Sequence, residues 1–348
     1  MRETARTAVI TGPRAVQVRD LPLPPVGPRE VLVANVVSGI SAGTEMNVYR
    51  GLAPQWRTRR DPATGLFEPT DVPEWTYPLA YGYAAVGRVQ HVGYDLDPAL
   101  LGDLVFSYTS HSSHAVVPVS ELVVLPTLAH PRVGVLTANV NTALNGMLDA
   151  RPVLGDTVVV SGLGVIGLIV TQLLRRSGAG LVIGVDSVEE RRQLAKQFGA
   201  DLVLSPHERV AERTRQMTDN RGADIVIEVS GAAPALHEAI RTAGYDGTVI
   251  AMSWYGGSFE SLSLSGEFHH NRTRIISSQV AGINPTLGPL WSVKRRKTLA
   301  TALLADLDLE PLLTHTFPID HAAEAYALVN AQPPDLVQCL LSYEDLAR

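Results

Sequence analysis

Cysteine is nearly missing from this chain: Cys339 is the single one in 348 residues, which excludes an intramolecular disulfide and any cysteine-rich zinc site. With Leu340 and Leu341 beside it near an expected terminal strand, Cys339 reads as a small core residue rather than a nucleophile. Long hydrophobic runs are missing too. The longest, Val158 to Val170, is interrupted by three glycines and is too short to span a bilayer, and the N-terminus shows no signal-peptide pattern. A cytoplasmic protein with no membrane partner is expected. Charge is sparse, at 18% Asp, Glu, Lys and Arg, and the balance is −6. A net negative chain is poorly suited to a nucleic acid or an anionic membrane surface. The basic clusters Arg59-Arg60, Arg175-Arg176 and Lys294 to Lys297 are short and are expected to decorate solvated faces rather than to form a binding stripe. No internal repeat or low-complexity tract is evident.

What is present is apolar residue in quantity, 45% of the chain, enough for substantial cores, with a length that suggests about two domains. Before residue 130 the chain reads as short strands cut by proline and glycine: Ala8 to Thr11, Val31 to Val37, Ala84 to Val92, Leu104 to Tyr108, His114 to Val117 and Leu122 to Leu125. This is the pattern of a β-rich partial barrel. Beyond it, strands at 157–161, 181–185, 202–204, 225–229 and 247–252 alternate with helical stretches such as Val188 to Phe198 and Ala233 to Ala243, and a last strand is expected near Arg274 to Ser278. That order predicts an α/β fold with a doubly wound parallel sheet covered by helices on both faces. The tail holds a helix around Lys294 to Leu304, another around His321 to Asn330 and a strand from Leu336 to Ser342. It is expected to pack back on the N-terminal domain, so that residues 1–129 and 284–348 form one domain and 130–283 are inserted as the other.

The densest chemical signal is Thr157 to Gly167, TVVVSGLGVIG, followed nineteen residues after its last glycine by Asp186 at the end of the next strand. Gly162 permits the tight turn, Gly164 lets backbone approach a pyrophosphate, and Gly167 lets the helix pack closely on the strand. Leu163, Val165 and Ile166 complete this turn, and amides at the helix start face the phosphates. Asp186 is suited to accept hydrogen bonds from the adenosine ribose and to repel a 2′-phosphate. Ser187 follows it rather than an arginine, while Arg191 and Arg192 come a helical turn later. NAD is therefore favoured over NADP. Ser230-Gly231 and Ser253 to Gly257 follow later strands, at the carboxyl edge of the sheet where ligands bind, with ordinary turn chemistry as the alternative.

The order of elements, together with Ser38-Gly-Ile-Ser-Ala-Gly-Thr-Glu45, Pro78 to Val89 (PLAYGYAAVGRV), Gly102-Asp-Leu-Val105 and Gly162 to Gly167, resembles the medium-chain dehydrogenase/reductase superfamily over nearly the whole chain. The likeness is nearest to sorbitol- and threonine-dehydrogenase-like proteins and the bacteriochlorophyllide dehydrogenases. It implies a GroES-like β-rich catalytic domain and a Rossmann domain. Zinc-dependent members carry a cysteine in a CGICGTD-like segment, a histidine in GHE and a later cysteine or acid near the domain junction. Here the first segment places Ser41 or Ala42 at the cysteine, the second reads Gly82-Tyr83-Ala84, and the junction offers Ala138 or Asn139. None is a good zinc donor and the four-cysteine structural lobe is absent, so no zinc is expected.

A chain without the metal must stabilise alkoxide character with hydrogen-bond donors, or reduce an acceptor that needs less help. Thr44 matches the threonine that begins the proton relay in the family, and also reads as an ordinary helix N-cap. Tyr83 replaces the lost histidine, either as a donor to substrate oxygen or as a ring filling the space left by the metal. Ser41 reads as a donor or as a loop-capping residue. His111 and His114 flank Ser112-Ser113 in a segment that borders the cleft in relatives, and one imidazole is a candidate general acid or base. His269 to Arg272 reads as a solvated loop. The insertion Ala53 to Tyr77, with Trp56, Phe67 and Trp75, reads as a lid or pocket wall, or equally as a packing or dimer segment. The leading expectation is a zinc-independent, NAD-dependent oxidoreductase acting on an alcohol or ketone, such as a cyclic polyol, a sugar-like alcohol or a specialised metabolite. Reduction of an activated C=C bond, as in quinone-oxidoreductase-like relatives, and a non-catalytic dinucleotide-binding protein are the alternatives. The partner is a small molecule, and a homodimer or homotetramer is expected by analogy alone.

Overall fold

The computed structural model describes residues 3–127, 130–255 and 262–343. Two compact units result, one from residues 1–137 and 313–348, the other from Ala138–Leu312.

The first unit is built of short strands, of which Ala15–Pro22 and Leu313–Pro318 alternate in burial while Thr4–Gly12, Glu30–Ile40, Leu104–Ser107 and Gln338–Ser342 are buried over several successive residues. Its strands are β1 (Thr4–Gly12), β2 (Ala15–Pro22) and β3 (Glu30–Ile40). After the short helix α1 (Thr44–Tyr49) come β4 (Thr58–Arg60), β5 (Phe67–Pro69), β6 (Leu79–Ala80), β7 (Ala85–Val92), β8 (Leu104–Ser107), β9 (His114–Pro118) and β10 (Val123–Val124). β4 and β5 form a two-stranded hairpin, and β2-β1-β6 a small sheet. Within the insertion, Trp56 stacks on Tyr77 with centroids 4.2 Å apart and Trp75 leans on Tyr81 at 5.4 Å, while Phe67 is exposed. Two of the three insertion aromatics singled out from sequence thus serve packing.

In the second unit, α2 (Thr137–Ala150) leads into β11 (Thr157–Ser161), α3 (Val165–Ser177), β12 (Leu181–Val185), α4 (Glu189–Gln197), β13 (Leu202–Leu204) and α5 (Val210–Gln216). β14 (Ala223–Glu228), α6 (Ala233–Thr242), β15 (Ala243–Ala251), α7 (Glu267–His270), β16 (Arg274–Ser277) and α8 (Val293–Leu303) complete it. Its six strands are all parallel in the order β13-β12-β11-β14-β15-β16. The order reverses at β11, whose five residues are all buried because helices cover both faces. A crevice at the carboxyl end of such a strand is where open α/β sheets bind ligands.

The chain then returns to the first unit with β17 (Leu313–Pro318), α9 (Ala322–Ala331) and β18 (Gln338–Ser342). β18 pairs antiparallel with β3, setting Cys339 opposite Ile40, and parallel with β17. The main sheet of this unit runs β10-β8-β7-β3-β18-β17, with β9 on the same flank of β3 as β18. Cys339 is 1% exposed in the apolar core, and burial, reinforced by the negative Glu45, pushes its thiol up to about 12. Among the described residues no helix is long and apolar enough to cross a membrane.

The expected boundary at residue 284 falls instead at 312/313, so α8 belongs with the parallel sheet. The reason is Arg296, read from sequence as one of a solvated basic run but only 1% exposed. Its guanidinium donates to the Asn141 Oδ1 at 3.0 Å, to Asn145 Oδ1, and to the carbonyls of Gly282 (2.7 Å) and Val280. These partners lie on α2 and on the segment ahead of α8, so one side chain fastens α8 to its own unit. Arg296→Leu leaves those acceptors unmatched and is expected to lower stability by about 3 kcal/mol, read as a lower urea midpoint at an unchanged slope.

Candidate functional site

In the second unit the chain leaves β11 through Gly162, whose φ of +99° favours glycine. A Cβ on Gly162 would stand 2.7 Å from the Ser230 amide nitrogen, and one on Gly167 would stand 1.9 Å from the Gly162 carbonyl oxygen. Gly164, the residue before α3, has nothing within 4 Å of the same position. Two glycines are therefore enforced by close packing and the third leaves open space. No side chain caps α3, so the first-turn amides of Val165, Ile166 and Gly167 suit an anion.

Asp186 follows β12 and is 9% exposed. Its Oδ2 accepts the Leu163 amide at 2.7 Å and its Oδ1 the Val188 amide at 2.8 Å, so the carboxylate holds the glycine turn and its own strand end together. Each oxygen keeps a further lone pair for a hydroxyl donor. Arg192 is turned inward, donating to the Asp186 carbonyl at 2.7 Å and pairing with Glu189. Arg191 is half-buried on α4, and Ser187 is exposed.

Glu228, at the end of β14, is fully buried. It accepts the Ser230 amide at 2.8 Å, the Ser230 hydroxyl and the Tyr255 phenol, which burial and the Glu228 charge hold far above its ordinary value. Glu228 thereby sets Ser230 against Gly162. Gly231, at φ +75°, adjoins Ser253, with 3.7 Å between a built Cβ and the Ser253 Cβ. Gly256 and Gly257 lie outside the described residues. The turn residues Gly162, Asp186, Ser187 and Ser230 line one cavity of about 800 Å³, which extends to His237 and Arg241. His269 and His270 are exposed on α7, as a solvated segment would be.

In the first unit the end of β3, the turn after it, α1 and the segment ahead of β9 assemble a polar cluster. The Tyr83 phenol lies close enough to the side chains of Ser41 and Thr44 for both to act on it, so two stretches distant in sequence meet. Burial first, and the negative Glu45 second, hold the Tyr83 phenol above its ordinary value of 10, with the Ser41 and Thr44 hydrogen bonds pulling the other way. Thr44 is the first residue of α1 and Gly43 precedes it as cap, so the N-cap reading of Thr44 does not hold.

His111 is fully enclosed and both ring nitrogens are engaged: Nδ1 with Ser38 Oγ at 2.7 Å and Nε2 with Glu45 Oε2 at 2.8 Å. Gly82 makes room for it, since at φ +136° a Cβ there would stand 2.9 Å from the His111 Cδ2. His114 is 8% exposed on β9, opposite Ala34 of β3, with Nδ1 3.1 Å from Ser113 Oγ.

Sequence reasoning passed over Glu45, Ser38, Tyr326, Tyr343 and Glu228. The available signal was an acid directly after Thr44, read only as a helix-start residue. Tyrosines on the returning tail gave none. Among the described residues, no group of three or more His, Cys, Asp or Glu is arranged to hold a metal.

Residues 165–289 match a family model described as zinc-binding dehydrogenase. The chain is similar to D-guloside 3-dehydrogenase of Escherichia coli K12, at 32% identity over 260 residues covering 73% of this chain and 74% of that protein. It is similar to L-threonine 3-dehydrogenase of Pyrococcus abyssi at 27% identity, covering 94% of each chain. Among solved structures, a short chain alcohol dehydrogenase from Escherichia coli CFT073, complexed with NADH, superposes with TM-score 0.79 at 20% identity over 98% of this chain and 100% of that one. Galactitol-1-phosphate dehydrogenase from Escherichia coli gives 0.78 at 19% identity, over 97% and 100%.

A methyl at position 167 has no room beside the Gly162 carbonyl, so Gly167→Ala is expected to displace the turn. NADH affinity, followed by fluorescence, should fall about 100-fold or more, and stability by about 2 kcal/mol.

Proposed function

The chain belongs to the medium-chain dehydrogenase/reductase superfamily and is a nicotinamide-dependent oxidoreductase, and from that premise we propose that it interconverts a secondary alcohol and its ketone on a polyol or sugar-like molecule, using NAD and no zinc. The observation that carries this reading is the closeness of the Tyr83 phenol to the Ser41 and Thr44 side chains, beside the buried Glu45 carboxylate that accepts the Ser41 amide.

Zinc takes thiolate, imidazole or carboxylate donors. At the positions where zinc-dependent relatives place ligands, this chain has Ser41 or Ala42, Tyr83, and Ala138 or Asn139. The buried Glu45 carboxylate already takes three donors, and His111 has both nitrogens occupied. This donor set does not fit the metal, and no step is routed through one.

A bound nicotinamide supplies or accepts the hydride. Asp186 takes the adenosine ribose hydroxyls, and its charge disfavours a 2′-phosphate. The α3 amides take the pyrophosphate. Tyr83, kept protonated by burial and by the Glu45 charge, donates a hydrogen bond to the substrate oxygen as negative charge grows there. Ser41 and Thr44 hold the phenol and share its proton. The relative named D-guloside 3-dehydrogenase supports a ring hydroxyl as the oxidised group.

The test uses 4-deuterated NADH with a 3-keto methyl glycoside and, in parallel, with 2-cyclohexen-1-one. Label on a carbinol carbon supports the proposal. Label only at the β-carbon of the enone favours the C=C reductase instead. Dialysis against a strong chelator is expected to leave activity intact, and zinc-dependent recovery after it would contradict the metal-free reading.

Tyr83→Phe is expected to lower kcat about 100-fold with NADH binding unchanged. Because the phenol titrates above its ordinary value of 10, the wild type should lose no activity to Tyr83 ionisation below pH 10. An alkaline limb below that pH that vanishes in Tyr83→Phe would contradict the assignment.

A further inference from the structure

Glu45 is fully buried, with no surface open to solvent. Its oxygens are committed. Oε1 accepts the Ser41 amide at 2.8 Å, while Oε2 accepts His111 Nε2–H at 2.8 Å and the Tyr326 hydroxyl at 2.6 Å. Four separate pieces of chain converge here: α1, the turn before it, the segment ahead of β9, and α9.

One arrangement of protons that satisfies this network runs from Tyr343 to Glu45. With Nε2–H donated to Glu45, Nδ1 of His111 is the acceptor, Ser38 donates to it at 2.7 Å, and Tyr343 donates to Ser38 at 2.7 Å. Every hydrogen bond then points toward the carboxylate. Such a network is fully satisfied, and a fully satisfied buried network fixes geometry. What it fixes is the turn from Ser41 to Thr44, the same turn whose two hydroxyls meet the Tyr83 phenol.

We propose that Glu45 is a positioning residue: held from behind by His111 and Tyr326, its carboxylate ties down the Ser41 amide and so sets the turn on which Ser41 and Thr44 engage Tyr83. The inference rests on the reading of Tyr83 as the proton-bearing group. The groups facing Glu45 are His111 from the segment before β9, Tyr326 from α9, Tyr343 and Cys339 from the terminal strand region, and Tyr81 and Tyr83 from the segment before β7. The four tyrosines and the cysteine are all held in their protonated forms, by burial first and by this carboxylate among the further causes. One negative charge surrounded by donors that keep their protons gives the turn a single preferred arrangement.

Glu45→Asp separates position from charge, because it keeps the carboxylate but shortens the side chain by one methylene, so that Ser41 and the His111–Tyr326 pair cannot be spanned together. Two readouts need no substrate. Amide exchange followed by NMR should show Ser41 protection reduced about tenfold, and the ring-carbon resonance of Tyr83, assigned by its loss in Tyr83→Phe, should shift. NADH affinity should stay within about twofold, and kcat with the 3-keto methyl glycoside should fall about tenfold. Wild-type Ser41 protection and an unmoved Tyr83 resonance in Glu45→Asp overturn the proposal. If Glu45→Asp does not fold, Tyr326→Phe keeps both the carboxylate and the ring volume and is expected to show the same shifts in weaker form; wild-type spectra and kcat in that variant overturn the proposal as well. Full activity of Tyr83→Phe would instead remove the proton-donor reading, and leave the Ser41–Glu45 coupling to stand or fall on the exchange measurement.

Discussion

Taking a carboxylate out of water costs several kcal/mol unless donors replace the lost hydration, and this chain does so three times at the ends of strands. Glu45 takes the Ser41 amide beyond β3, Asp186 the Leu163 and Val188 amides beyond β11 and β12, and Glu228 the Ser230 amide beyond β14. In each case the donor is backbone of a neighbouring turn, so the charge and the turn geometry depend on each other. Loss of either partner exposes an unmatched group in a low-dielectric interior. Each of these turns is thus tied to a buried charge.

The two units use this device differently. In the second, Asp186 remains able to accept further hydrogen bonds and Gly164 leaves open space, so the rigid turn is also a receptor. In the first, Glu45 already takes three donors from the protein, two of them on one oxygen.

The parallel sheet was legible in the sequence because its strands are continuous apolar runs. Strands 157–161 and 181–185 were placed residue for residue, and α3 to within a residue, from the change between an apolar run and glycine. The first unit was harder. β2 has an alternating but weakly apolar pattern that ends in a proline-rich stretch, and β17 mixes threonine and histidine with only two large apolar residues, so neither stood out. The attachment of α8 to the parallel-sheet unit goes with a buried arginine inside a run of basic residues. Composition cannot tell such an arginine from its solvated neighbours. The Ser41–Thr44–Tyr83 meeting was visible as three separate candidates, whereas Glu45, Tyr326 and Tyr343 required the long-range return of the tail to become visible.

That return has a consequence for how the polypeptide is made. β18 lies between β3 and β17, and the flank of β3 from Val37 to Ile40 is covered by it alone. A ribosome delivers all of Ala138–Leu312 before delivering β18. The parallel sheet therefore has every one of its strands available while the earlier sheet still presents a naked edge, a template for unwanted pairing. Vectorial synthesis thus leaves the Ser38–His111–Glu45 network without its two tyrosines until α9 and β18 have followed, and that returning segment both seals the edge and completes the interior around the carboxylate.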